Sequence, residues 1–389
     1  MIVADRLEHI PRSGIREIFD TAQSMGRYIN LGIGEPDFRT PKFVADAAIR
    51  SINSGFNKYT ANSGLPELRY EISRKLRREN GIDADPESEV IVTAGATQAI
   101  LVIMQCILNP GDEIILPTPV FTAYKFSAKL AGGITIEVPL DEENGYSIDW
   151  ERMDQAVSKK TKALVINSPC NPTGSVLSHT DIRRACEFAD EHNLYLISDE
   201  IYEKFLYDKA KHFSPGSLEE FKDRIITVNG FSKTYAMTGW RLGYAVATRD
   251  LVNAFIRYNM YNAVCAPSFA QRAAITALRH SLVFFKPVLK EFDLRRKIVC
   301  SAFEELDWRM VRPSGAFYAF PSISNYPGNS FDFSMEFLRK YRVATVPGSS
   351  FGSAGERHIR ICYALEERKL RRALNLLHRF VRENTKAQF

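Results

Sequence analysis

From residue 89 to residue 247 short apolar runs alternate with helical segments, and this rhythm constrains the fold more than any other feature of the chain. The runs are EVIVT (89–93), EIILP (113–117), ITIEV (134–138), KALVIN (162–167), LYLIS (194–198), RIITV (224–228) and LGYAVA (242–247). Each is short and rich in β-branched or apolar side chains, the pattern of a strand covered on both faces. Strand–helix alternation of this kind folds as a largely parallel sheet with helices on either side. The expectation is an α/β chain built on a mostly parallel seven-stranded sheet.

At 389 residues the chain exceeds what one simple core accommodates. The alternation stops near residue 285. A long helical pattern, KPVLKEFDLRRKIVCSAFEEL (286–306), leads into GAFYAF (315–320), which reads as hairpin-like, and the chain closes with the amphipathic ERKLRRALNLLHRFVREN (367–384). A large domain is expected over residues 45–285. Residues 286–389 are expected to form a smaller α/β domain, joined by residues 1–44, which lack the strand–helix rhythm. Within the large domain, Leu68, Ile72 and Leu76 share one face of a helix over 66–79, with Pro66 suited to its first turn.

Composition excludes several classes. The net charge of +5 is small against 51 basic and 46 acidic residues. The densest basic runs, RKLRREN (74–80) and LRRKIVC (294–300), carry apolar residues at helical spacing and read as solvated helix faces, so no nucleic-acid surface is expected. The six cysteines form no CxxC pair and the seven histidines no HExxH, so neither a metal site nor a disulfide framework is indicated, and a reducing cytoplasm is expected. MIVADRLEHIPRSG at the N-terminus lacks the build of a signal peptide, and no apolar run reaches membrane-spanning length.

In open α/β sheets, ligands bind at the carboxyl ends of the strands. After EVIVT comes AGATQA (94–99), either a plain tight turn or an anion site made by N–H groups at a helix start, with Thr97 beside it. After KALVIN comes SPCNPTG (168–174), an irregular loop with Asn171 as its polar tip. After LYLIS comes DEIY (199–202), where Asp199 follows apolar residues and is expected to need a partner or to protonate. After RIITV comes NGFSKTYAMTGWRLGY (229–244), which sets Lys233 just past a strand, between Ser232 and Thr234, with Arg241 further on. A single loop lysine is normally a solvated side chain. Asn, Asp, Tyr, Lys and Arg converging on one sheet edge from separate segments are hard to explain by packing alone. GFSKT lacks the glycines of a phosphate-binding P-loop, and GSSFGSAG (348–355) lacks dinucleotide-fingerprint spacing.

NGFSKTYAMTGWRLGY resembles the cofactor-lysine signature of the class I aminotransferases, fold type I enzymes that use pyridoxal 5′-phosphate. GIGEPDF (32–38), KYTANSGLPELR (58–69), AGATQA, SPCNPTG, SDEIY and HIRICYA (358–364) are similar to that family in type and order. The resemblance covers nearly the whole chain, and the wording looks closest to archaeal aromatic-amino-acid aminotransferases. It implies that Lys233 forms the Schiff base with the cofactor and, once freed by the substrate amine, serves as general base. It implies that Asp199 pairs with the ring nitrogen, that Tyr202 and Asn171 hydrogen-bond the 3′-oxygen, and that Phe121 in PTPVFTAY (117–124) stacks on the ring. The alternative reading of Phe121 is a core phenylalanine. The phosphate is expected among Arg241, Ser232, Thr97 and the backbone N–H groups of Gly95 and Ala96. Tyr59, otherwise a surface tyrosine, matches one that reaches the phosphate from the other subunit, which implies a homodimer. Arg360 matches the clamp on the substrate carboxylate, with the backbone near Gly34 and Asn171 beside it, so that domain closure gates the reaction.

The implied partners are small-molecule amino acids and 2-oxo acids. RYNMYNAVCAPS (257–268), which in relatives approaches the site from the partner subunit, offers Tyr261 and Asn262 in its middle and Arg257 only at its helix-like start. An enzyme for aspartate is expected to offer a second cation, since a lone buried carboxylate is costly. The expected donor is therefore an aromatic amino acid, with 2-oxoglutarate as acceptor and aspartate as the alternative donor. Carbon–sulfur lyases and a non-enzymatic regulator carrying this fold are further readings. The regulator would need a DNA-binding module ahead of this region, and none is expected.

Overall fold

A computed structural model describes Leu7 and residues 14–280 and 282–385. Most of the N-terminal stretch read above, and the last residues of the expected small domain, lie outside the described residues. Strand β1 (Ile29–Asn30) precedes the large sheet. All seven apolar runs form strands: β2 (Val90–Thr93), β3 (Glu113–Thr118), β4 (Ile134–Pro139), β5 (Thr161–Asn167), β6 (Tyr195–Asp199), β7 (Ile225–Gly230) and β8 (Gly243–Val246). They lie in the order β2-β8-β7-β6-β5-β3-β4. Only β8 runs against its neighbours, antiparallel to both β2 and β7. The link from β7 to β8 holds only the 3₁₀ turn Thr238–Trp240, so the chain doubles back instead of crossing over.

The strands are long apolar runs because both of their faces are covered. On β5 and β6, Val165 and Ile197 face one way, with Ile103 of helix Ala96–Ile107 in the same layer. Leu164 and Leu196 face the other way, under Phe188 of helix His179–Glu191. That second helix is fixed at its start by a capping box between Ser178 and Asp181.

The remaining chain builds a second layer of structure on four short strands and long helices. Strand β9 (Tyr318–Ala319) precedes β10 (Val343–Ala344), β11 (Val346–Pro347) and β12 (Ile359–Cys362). GAFYAF is not half of a local hairpin. Its strand β9 pairs antiparallel with β12, because the segment that follows it forms helix Ser330–Tyr341 and offers no adjacent strand. Helices Phe285–Glu305 and Glu367–Thr385 cover this unit through an aromatic-rich cluster that includes Phe292, Phe303, Phe317, Phe337 and Phe380. Helix Gly14–Ser24 joins it through Ile18 and Ala22, and β1 pairs with β10. Residue 44 falls inside helix Lys42–Asn53, whose Val44 and Ala47 pack with Leu68 and Ile275 against the large sheet.

Candidate active site

The sheet register sets Asn167 opposite Asp199 and Asp199 opposite Val228, so the loops leaving β5, β6 and β7 open along one edge. A cleft of about 380 Å³ lies there, between the sheet edge and β12. Every site residue expected from sequence lines it except Gly95 and Tyr59.

Asp199 ends β6 and is only 3% exposed. One carboxylate oxygen accepts the Tyr124 hydroxyl at 2.8 Å and the other accepts the Ile201 N–H at 3.1 Å. Burial pushes its carboxyl up to about 6, with those two hydrogen bonds opposing the shift. An anion this enclosed is stabilised by a cation placed against it, and a protonated ring nitrogen supplies one. Lys233 stands past the end of β7. Its ammonium donates to the Gly34 carbonyl at 2.7 Å and lies 5.6 Å from the Tyr202 ring and 5.9 Å from the Phe317 ring. Desolvation lowers it to about 8, which brings the neutral amine within reach of ordinary pH. The Tyr202 and Tyr318 hydroxyls share a hydrogen bond of 2.7 Å, and burial raises both phenols.

The opposite corner collects donors suited to an anion. Arg241 lines it with Thr97 and Ser232, and its Nη1 donates to the Thr238 carbonyl at 2.8 Å. Gly95 has φ +91°, and a side chain there would put Cβ 2.6 Å from Arg241 Nη2, so glycine lets the guanidinium approach. The Gly95 N–H itself donates to the Thr93 carbonyl at 2.8 Å. The first-turn donors of helix Ala96–Ile107 are the N–H groups of Ala96 and Thr97. A guanidinium, two hydroxyls and a helix start match a phosphate group in charge and geometry.

Arg360 reaches the cleft from β12, 5% exposed. Its Nη1 donates to Asn171 Oδ1 at 2.8 Å and its Nη2 to the Gly32 carbonyl, while Nε is buried with no partner. The guanidinium lies 4.5 Å from the Tyr318 ring and 4.9 Å from the Phe351 ring. Asn171 is held in turn by its N–H on Asn167 Oδ1 at 2.8 Å. Phe121 lines the wall, edge-on to Tyr124 with centroids 5.8 Å apart. The buried carboxylate, the anion corner and the enclosed amine together fit pyridoxal phosphate.

Tyr59 is 85% exposed and stands apart from the cleft of its own chain. Sequence reasoning missed Tyr124, Tyr318, Asn167, Phe351 and the apolar side chains of Ile15, Phe19 and Ile33 that line the cleft. Tyr124 was within reach, since it follows Phe121 by one helical turn in PTPVFTAY. Tyr318 carried no such signal.

The family described as aminotransferase class I and II matches residues 27–377. The chain is 46% identical over 385 residues to an aspartate aminotransferase of Pyrococcus abyssi, covering 98% of this chain and 99% of that one. It is 42% identical over 385 residues to aromatic-amino-acid aminotransferase 2 of Thermococcus litoralis, with the same coverage of 98% and 99%. The crystal structure of an aromatic aminotransferase from Pyrococcus horikoshii superposes with a TM-score of 0.90 at 44% identity, covering 94% of this chain and 99% of that one. The chain belongs to the class I and II aminotransferases, fold type I enzymes that use pyridoxal phosphate to move an amino group between an amino acid and a 2-oxo acid.

Proposed function

We propose that this aminotransferase takes the amino group of an aromatic L-amino acid and passes it to 2-oxoglutarate, with Lys233 as the residue that moves the proton. The observation that carries the reading is the enclosed Lys233 amine sharing one cleft with the buried Asp199 carboxylate and the Arg360 guanidinium. Bound pyridoxal phosphate supplies an aldehyde for the substrate amine and a ring that accepts the electron pair left at the α-carbon. Asp199 would hold a proton on the ring nitrogen by opposing its charge. Tyr202 and Asn171 would hydrogen-bond its 3′-oxygen, Phe121 would cover the ring, and Arg241, Ser232, Thr97 and the N–H of Ala96 would hold the phosphate. Arg360 clamps the α-carboxylate beside Gly34 and Asn171. Lys233, with its ammonium lowered to about 8, would accept the α-proton as a neutral amine and deliver it to the former aldehyde carbon of the cofactor, on the far side of the shared nitrogen.

Ile15, Phe19 and Ile33 support the aromatic preference. Among the described residues, the cations lining the cleft are Lys233, Arg241 and Arg360, each with a role already. None is left for a second substrate carboxylate. Aspartate is the second reading, favoured by the name of the Pyrococcus abyssi relative.

The active form is a homodimer in this proposal. Tyr59, and Tyr261 at 88% exposure, are aromatic side chains left open by the single chain and suited to a partner's site. Residues 42–285 form the large domain in this proposal, three residues longer than the 45–285 expected from sequence, and the described residues before 42 and after 285 form the small one, which carries Gly34 and Arg360 and closes on substrate. The packing of Val44 supports placing the hinge just ahead of helix Lys42–Asn53. Among the described residues no helix is long and apolar enough to cross a membrane, and the six free cysteines accord with the cytoplasm. The test is kcat/KM for phenylalanine, tyrosine and aspartate with 2-oxoglutarate as acceptor. Aspartate above both aromatics by about tenfold, about 1.4 kcal/mol of transition-state binding, refutes the preference.

A further inference from the structure

Behind the cleft lies a buried polar cluster that the proposed reaction does not use. At its centre is Glu200, which is fully buried and does not line the cleft. Four donors hold its carboxylate. Ser198 Oγ at 3.1 Å and Ser214 Oγ at 2.6 Å reach one oxygen; His212 Nε2 at 3.0 Å and Asn80 Nδ2 at 3.1 Å reach the other. Asn80 also donates to Glu203 at 2.8 Å, and the Lys75 ammonium donates to both Asn80 Oδ1 and Glu203. Lys204 lies 3.6 Å from Glu203. Glu200, Glu203 and His212 have the spacing of a cation site, but the ammonium of Lys75 already occupies the charge-balancing place against Glu203.

Burying a carboxylate this completely is costly, and an apolar side chain of similar size often serves stability as well or better. Glu200 therefore calls for a reason other than packing, and its place in the chain supplies one. It is the residue between Asp199 and Ile201, whose N–H holds the Asp199 carboxylate. Its own N–H donates to the Val228 carbonyl of β7 at 2.9 Å, and its carbonyl accepts the Glu203 N–H at 3.0 Å, closing a turn around Tyr202. The donors on its side chain come from three other places: β6 itself, the 212–214 segment, and the end of helix Pro66–Asn80.

We propose that Glu200 is a positioning residue for amino transfer: pinned by Ser198, Ser214, His212 and Asn80, its carboxylate anchors the 199–203 turn from behind and fixes where Asp199 and Tyr202 present their oxygens to the cleft. The inference rests on the roles given above to Asp199 and Tyr202. It ties the cofactor-binding turn to helix Pro66–Asn80.

The test uses the holoenzyme with Glu200→Gln, which keeps size but removes the charge and one acceptor, and Ser214→Ala, which removes one donor. For Glu200→Gln, kcat falls about tenfold or more while donor KM stays within about threefold, because Arg360 is untouched. The pH midpoint of the visible cofactor–lysine band falls by about half a unit, since a negative charge that favours the protonated form is gone. Ser214→Ala lowers kcat about threefold, the scale of one weakened hydrogen bond. A lower Tm with kcat, KM and midpoint unchanged in either variant marks the cluster as structural and overturns the proposal. Should Glu200→Gln fail to fold, Ser214→Ala decides. Absence of the band in the wild-type protein removes the Lys233 reading, and this inference with it.

Discussion

Replacing Arg360 with lysine probes the carboxylate clamp while leaving its charge in place. In the structure the guanidinium is buried, bonded to Asn171 and to the Gly32 carbonyl, and laid over the rings of Tyr318 and Phe351. A lysine ammonium keeps the positive charge but cannot present two parallel N–H groups to a carboxylate. The variant loses one charge-assisted hydrogen bond, roughly 1.5–3 kcal/mol, and part of the ring stacking, roughly 0.5–1 kcal/mol. Together these amount to about 2–4 kcal/mol, or roughly 30- to 1,000-fold in kcat/KM at about 1.4 kcal/mol per tenfold. The assay is steady-state transamination of phenylalanine with 2-oxoglutarate, followed as glutamate formed, with far-UV circular dichroism to confirm the fold. Phenethylamine, which has no carboxylate, serves as a control donor whose slow rate should change little. A loss below about fivefold for phenylalanine, or an equal loss for phenethylamine, refutes the clamp and leaves Arg360 a packing role.

Gly34→Ala should lower both Tm and kcat, because a Cβ at Gly34 would fall 2.1 Å from the Tyr318 hydroxyl, which is bonded to Tyr202; unchanged melting and turnover would show that the loop yields freely. Lys233 is lowered from 10.5 to about 8 by burial, so between those values the unfolded chain binds the extra proton and the stability of cofactor-free protein rises with pH. The cost is fully present below pH 8, on the order of 3 kcal/mol at most, and Lys233→Met should flatten the slope in a denaturant series across that window. Equal slopes in the two proteins would mean that the lysine is not desolvated in the folded state.

The strands were legible because central strands of a parallel sheet are apolar on both faces, so β5, β6 and β7 stand out as unbroken runs. The residues at their ends were legible because polar side chains that follow such runs, as Asp199 and Lys233 do, have little reason to be there for packing. Contacts between distant segments were not. Tyr318 meets Tyr202 and Arg360 only once β9 has paired with β12, and GAFYAF read alone suggests a local hairpin. The Gly95 N–H bonds back to the Thr93 carbonyl, a tight turn that the letters AGATQA do not specify. The buried bonds around Glu200 join residues as far apart as Asn80 and Ser214, and a sequence shows only that SDEIY carries one more acid than the reaction needs.

The central claim, that Lys233 moves the proton, is tested most directly by absorbance and turnover of Lys233→Ala beside the wild type. The wild-type protein should show a visible band that fades on adding phenylalanine and returns on adding 2-oxoglutarate. The variant should fold, retain pyridoxal phosphate among Asp199, Arg241 and Thr97, and lose nearly all turnover, because no other amine lines the cleft among the described residues. Turnover near the wild-type rate in Lys233→Ala would contradict the account.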